Sequence, residues 1–210
     1  MEINIFGDEF KKKNLKPNNI TDQQRSKVAE LGFDYWDNKN FPGYQGHYYD
    51  GRWVDKAKKL KKYYGLKQDD KVLDYGCGKG FLLYDIRNVI GCDIVGYDKS
   101  DYAIEHSKIR KNIIRASEER MPFEDDEFDL VISLSMLYAM EYDECVMAIQ
   151  EIERVGHNKF IMVHSYRDEK ERDNLISYDA TAKIVLSVTE WEDLLLGAGY
   201  TGDYWWTIFV

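Results

Sequence analysis

Two acids and three glycines carry the most chemistry in this sequence. The stretch Lys71 to Gly80, K-V-L-D-Y-G-C-G-K-G, sets Asp74 at the end of an apolar run and follows it with Gly76, Gly78 and Gly80. Glycines at this spacing allow a sharp turn and a close backbone approach to a ligand. Further on, I-V-G-Y at Ile94 to Tyr97 leads into Asp98, where a carboxylate can hold a ribose diol through both oxygens. The set reads as a nucleotide-type site. A dinucleotide fingerprint requires a third glycine at position 81, which is Phe81, so the spacing argues against a nicotinamide cofactor. A second polar set, His164, Ser165, Tyr166 and Arg167, follows the apolar run Lys159 to Val163, and Ser133, Ser135 and Tyr138 surround the end of another. Histidine titrates near neutral pH, which makes His164 and His47 candidates for proton transfer to or from a substrate.

The elements that must position these groups alternate strand and helix. Lys71 to Tyr75 reads as a buried strand and Phe81 to Ile90 as the helix after the turn. Ser100 reads as the N-cap of a helix over Asp101 to Arg110, and Asp129 to Leu134 is an apolar strand. Cys145, Ala148, Ile149 and Ile152 form one helical face, and Lys159 to Val163 forms a further strand. A surface helix opens near Asp168. Thr189 with Glu192 makes a capping box for a helix that ends at Gly197 to Gly199, and G-D-Y-W-W-T-I-F-V closes the chain as a strand. This pattern predicts an α/β protein with a Rossmann-like, doubly wound and mostly parallel sheet flanked by helices. Such sheets bind ligands at the carboxyl ends of their strands, where both polar sets lie.

Residues 1–53 differ in composition from the rest. Thr21 caps a short helix to Leu31, after which F-D-Y-W-D-N-K-N-F-P-G-Y-Q-G-H-Y-Y-D-G-R-W packs aromatics among glycines without steady periodicity. So aromatic a segment must cover something, either the core as packing or the site as a lid. A lid would use Tyr44, His47, Tyr48, Tyr49 and Arg52. Trp53, Ala57, Leu60 and Tyr64 then share a helix face, and the lysines between them face solvent.

The order D-x-G-x-G-x-G, strand-end acid and M-P-F-x-x-x-x-F-D-L-V over Lys71 to Val163 resembles the class I S-adenosylmethionine-dependent methyltransferases. The resemblance implies that Asp74, Gly76, Cys77, Gly78 and Gly80 hold the methionine part of S-adenosyl-L-methionine. It gives Asp98, with Lys99 beside it, the ribose. Ser117 and Glu118 would flank the adenine, with Ser117 standing where many members carry Asp, and Ser133 would border the cofactor. Acceptor contacts would come from Tyr44, Tyr48, Tyr49, Arg52, Tyr166 and Arg167, and catalytic groups from His164, His47 and Tyr138. The family usually ends with an antiparallel hairpin, and this sequence stops one strand early. The Y-R-D-E-K-E stretch and the G-Y-T-G-D-Y-W-W-T-I-F ending are also similar to small bacterial methyltransferases found beside polysaccharide-synthesis proteins.

Composition narrows the partners. The 210 residues suit an N-terminal lid over 1–53 and one methyltransferase domain over 54–210. A formal net charge of -9 disfavours a nonspecific hold on nucleic acid and leaves a small-molecule acceptor, a sugar or an amine, as the expected partner. Three separated cysteines form neither a zinc pattern nor a disulfide framework and suit a reducing cytoplasm. No run is long enough to span a membrane, and no metal site is indicated. The rival reading is a non-catalytic S-adenosylmethionine-binding protein that acts through a protein partner.

Overall fold

The computed structural model describes residues 1–7, 20–44, 46–117 and 120–210. Six strands form one sheet in the order β3-β2-β1-β4-β5-β6: β1 Lys71–Tyr75, β2 Asp93–Asp98, β3 Ile113–Arg115, β4 Phe128–Leu134, β5 Gly156–Ser165 and β6 Asp203–Ile208. All five neighbouring pairs are parallel, as in the β1–β2 register Asp74↔Gly96 and the β1–β4 register Asp74↔Ile132. A parallel sheet needs helical crossovers and is buried on both faces, so its strands are apolar on both sides. One face, with Val72, Leu130, Ile132 and Phe160, packs under α3 (Val54–Tyr64) and α4 (Phe81–Ile90). The other, with Leu73, Val131, Ile161 and Val163, packs under α6 (Tyr142–Val155) and α8 (Val188–Gly197).

The chain enters at β1, winds outward to β3, then crosses back to β4. The crevice beyond the carboxyl ends of β1 and β4 is therefore the switch point at which open α/β sheets bind ligands. Gly76 leads out of β1 there, and Ser135 and Met136 lead out of β4.

Three sequence expectations change. The closing strand does not form a hairpin: α7 (Glu169–Tyr178) and α8 carry the chain back across the sheet, so β6 runs parallel to β5 with Phe160 opposite Asp203. The capping box of α8 is Ser187 with Glu190 rather than Thr189 with Glu192, because Ser187 bridges to Tyr166 and starts the helix two residues earlier. The helix after Ser100 is α5 (Asp101–Glu105), shorter than expected, with the His106 ring stacked on Tyr102 at its end.

The N-terminal residues form α1 (Asp22–Val28), capped by Thr21 and Gln24, and α2 (Phe33–Trp36). The amides of Gly46 and His47 both donate to the Trp36 carbonyl and that of Tyr44 to the Tyr35 carbonyl, which folds the aromatic stretch back on itself.

Candidate functional site

The turn after β1 needs its glycines. Gly76, Gly78 and Gly80 have φ of 83°, 53° and 69°, the left-handed region that side chains resist. A Cβ at each would also lie within 2.4, 2.6 and 2.4 Å of Met136, Trp36 and Ile109 respectively. The groups that crowd this turn are thus the protein's own, and the Trp36 indole rests directly on Gly78. Its Nε1 donates to the Leu31 carbonyl at 2.9 Å and to Ser100 Oγ at 3.0 Å. Tyr44 stacks on it, with centroids 5.2 Å apart and planes 5° from parallel.

Between this aromatic cover and the sheet edge lies a cavity of about 230 Å³. Gly76, Asp98 and Lys99 form its cofactor-motif side, and Tyr35, Trp36 and Tyr44 form its cover. Ser135, Met136 and Met140 border it from the β4 end and Ala180 to Lys183 from the far side. Leu31 and Ser135, two of the non-glycine residues with positive φ (51° and 57°), both line it. Strained backbone of this kind collects at ligand sites.

The two acids are held differently. Asp98 accepts from the Gly78 amide at 2.7 Å and the Ser100 amide at 2.8 Å, yet burial still pushes its carboxyl up. Asp74 is 5% exposed, and no donor among the described residues reaches its carboxyl. Burial first, and then the Asp98 charge, push it up to about 8. Cys77 turns its sulfur toward Gly96, where a Cβ would lie 2.6 Å away, and its thiol is raised by burial.

The β4–β5 end holds a hydrogen-bonded chain. His164 Nδ1 lies 2.6 Å from Asp179 Oδ2, and His164 Nε2 lies 3.3 Å from the Tyr138 hydroxyl, with the two rings stacked at 4.1 Å. Asp179 Oδ1 accepts from the Thr181 amide and hydroxyl, both at 2.7 Å, and from the Ala182 amide at 3.1 Å. Burial works to raise the Asp179 carboxyl, but these bonds and His164 hold it down at about 2. Burial first, then the charge of Asp179 and the neighbouring phenols of Tyr35 and Tyr44, push the Tyr138 hydroxyl well above its ordinary value, which keeps it a donor.

The remaining expected residues stand elsewhere. His47 lies on the other side, against Tyr44 and Phe81, with a buried Nδ1 that has no partner among the described residues; burial first, then Lys79, push it down to about 4. Tyr49 donates to Asp85 at 2.6 Å, and Tyr48 and Arg52 lie outward with Arg52 paired to Asp50. Tyr166 and Arg167 are engaged with Glu190 and Glu171, and none of these five lines the cavity. Ser117 is exposed, its amide donating to the Tyr97 hydroxyl, while Glu118 lies outside the described residues. Ser133 is buried with its hydroxyl unpartnered and does not line the cavity.

Sequence reasoning missed Lys79, Trp36, Arg25 and Asp179. Lys79, inside the glycine turn and 5% exposed, donates to both oxygens of Asp37 at 2.7 and 2.8 Å and to the His47 carbonyl at 2.9 Å. It ties the turn to the N-terminal segment, and a lysine between two glycines of a buried turn was the available signal. Arg25 of α1 donates to the carbonyls of Ile176 and Asp179 at 2.9 and 2.8 Å. The signal for Asp179 was D-A-T, an aspartate-initiated turn.

Residues 66–201 match the methyltransferase-domain family. An uncharacterised protein of Haemophilus influenzae is 31% identical over 110 residues, covering 48% of this chain and 44% of that protein. A sterol 24-C-methyltransferase of Schizosaccharomyces pombe is 33% identical over 79 residues, covering 33% of this chain and 21% of the enzyme. The chain thus spans less than half the length of these curated relatives. The solved structure of YcgJ from Bacillus subtilis superposes with a TM-score of 0.56 at 19% identity, over 69% of this chain and 67% of that one, which shows a shared fold. The glycine turn, the two strand-end acids and the sheet order accord with that match, and the chain belongs to the methyltransferase-domain family of the class I, S-adenosylmethionine-dependent fold.

Proposed function

We propose that the protein transfers the methyl group of S-adenosylmethionine to an oxygen or nitrogen nucleophile of a small molecule by in-line displacement. One observation carries this reading: the glycine turn holds two carboxyls raised by burial, Asp98, which lines a covered cavity, and Asp74, at the end of the strand behind it. Carboxyls in that state gain from a cationic group, and the ammonium at the amino acid end of the cofactor is one. The same turn offers Asp98 to a ribose diol.

The bound cofactor supplies a sulfonium methyl as the electrophile. The protein's part is to align an acceptor with it and exclude water, which contributes roughly 7 to 11 kcal/mol in well-oriented reactions. Trp36, Tyr44 and Tyr35 cover the cavity, and aromatic faces hold a cationic centre by about 0.5 to 2 kcal/mol each. In this reading residues 1–53 are a lid over the domain of 54–210. The cavity is smaller than the roughly 300 to 1,000 Å³ usual for ligand sites, so the lid yields as ligand enters. An acceptor that arrives protonated needs a base. His47, held near 4 by burial and Lys79, is a poor one, which favours His164. Among the described residues no helix is long and apolar enough to cross a membrane, in keeping with a cytoplasmic enzyme.

Calorimetry with S-adenosylhomocysteine and with NADH tests the cofactor, and binding of NADH alone overturns the reading. Transfer of a labelled methyl group tests the chemistry. His164→Ala is expected to slow it by about 10²- to 10⁴-fold with cofactor affinity unchanged. Normal turnover in that variant removes His164 from the mechanism.

A further inference from the structure

The hydrogen-bond chain at the end of β5 is more complete than substrate binding requires. Asp179 is buried and accepts four hydrogen bonds from side chains and backbone, three of them on Oδ1 from its own turn. Oδ2 meets His164 Nδ1, and the Tyr138 hydroxyl also interacts with this carboxylate. A carboxylate that stays ionised favours the tautomer with its proton on Nδ1, which leaves Nε2 unprotonated 3.3 Å from the Tyr138 hydroxyl. From the other elements, Trp191 donates to the His164 carbonyl at 3.1 Å, the Phe209 ring meets His164 edge-on, and the Tyr35 and Tyr44 phenols act on that of Tyr138 electrostatically. Among the described residues Asp179 is the one acid paired with the His164 ring.

The lid enters this arrangement through Arg25. Its two terminal nitrogens hold the carbonyls of Ile176 and Asp179 at the end of α7, and Arg25 and the following turn, Ala180 to Lys183, both line the cavity. The contact that seats α1 is thus also a contact that secures Asp179.

We propose that Asp179 is a positioning residue that sets His164 and Tyr138 as a two-step proton acceptor, assembled when α1 closes on the end of α7 through Arg25. The proposal rests on the methyl-transfer reading. As the acceptor oxygen or nitrogen forms its bond to the methyl carbon, the carbon–sulfur bond breaks and its electron pair goes to sulfur, leaving a neutral thioether. The proton of the acceptor passes to the Tyr138 oxygen, which lies behind the cavity wall beside Ala139, while the Tyr138 proton passes to His164 Nε2. The imidazolium so formed sits against the Asp179 carboxylate.

The test uses the full chain and Asp179→Asn, which keeps an oxygen for Thr181 but offers His164 an N–H, forcing the proton to Nε2. Nitrogen NMR of labelled histidine, without cofactor, is expected to show the Nδ1–H form in the wild type and the Nε2–H form in the variant. An Nε2–H form in the wild type overturns the proposal and leaves methyl transfer standing. Tritiated methyl donor with a bacterial extract of small metabolites is expected to lose about 10²-fold or more of its transfer in the variant, with S-adenosylhomocysteine affinity held within twofold. Equal transfer by the folded variant overturns the positioning role, and Asp179→Glu should recover part of the rate. Absence of transfer by the wild type takes down the methyl-transfer reading, while the NMR result still judges the hydrogen-bond chain.

Discussion

Asp74 and Asp179 are both almost fully buried carboxyls near the same sheet edge, and they stand at opposite ends of the scale. Asp74, with no donor and a second acid nearby, is pushed up to about 8. Asp179, with His164 and three donors from its own turn, is held at about 2. Burial alone therefore does not set the charge of a carboxyl; the donors supplied with it do. At the glycine turn an acid is left without a donor among the described residues, as the proposed cationic ligand requires. The β5 end satisfies its acid internally, as suits a fixed part.

That contrast can be broken by substitution. The largest effect should come from Asp179→Ala, which strands His164 and three donors in the interior. A loss of about 3 to 5 kcal/mol is expected, on the order of 10 °C in Tm, read by calorimetry. Asp74→Asn at pH 8 should cost little or raise Tm, and equal losses at the two sites would erase the distinction. Next, Asp98→Ala should weaken S-adenosylhomocysteine binding by about 10- to 100-fold, the worth of charge-assisted hydrogen bonds, with Tm changed far less.

The pH dependence sharpens the same comparison. An acid whose folded value lies above its unfolded value makes the folded state hold a proton that the unfolded state has lost. Asp74 should therefore make the ligand-free protein less stable as pH rises from about 4 to about 8, by at most about 1.4 kcal/mol per pH unit. Asp74→Asn should flatten that slope in urea titrations. Cofactor binding at pH 7 should release up to one proton, read from calorimetry in buffers of different ionisation enthalpy. Asp179 has the opposite sign: its contribution is present above about 4, its ordinary value, and is lost as pH falls through about 2. The smallest change is expected from Tyr138→Phe, which removes one 3.3 Å hydrogen bond and should cost about 0.5 to 1.5 kcal/mol in a melt.

The two regions also differed in how readable they were. Around β1 the local code is strong: an apolar strand and three glycines at enforced positive φ are sequence-near, and α4 runs over Phe81–Ile90 as expected. Around Asp179 the contacts reach from α7 to β5 and α1, at separations that no periodicity reports. The α8 capping box shows the same limit, since S-V-T-E and T-E-W-E both fit and the bridge of Ser187 to Tyr166 decides between them. The aromatic stretch lacked a period because its shape comes from ring stacking and from backbone bonds onto Tyr35 and Trp36.

Trp36 gives the molecule an optical handle. Of the five tryptophans, Trp36, Trp191 and Trp206 are buried, and of these the Trp36 indole rests against the glycine bend proposed to meet the cofactor. A guest entering that space must change the surroundings of a natural fluorophore, so its emission can time each arrival and departure without any label. The residue that shuts the door would then also announce when it opens.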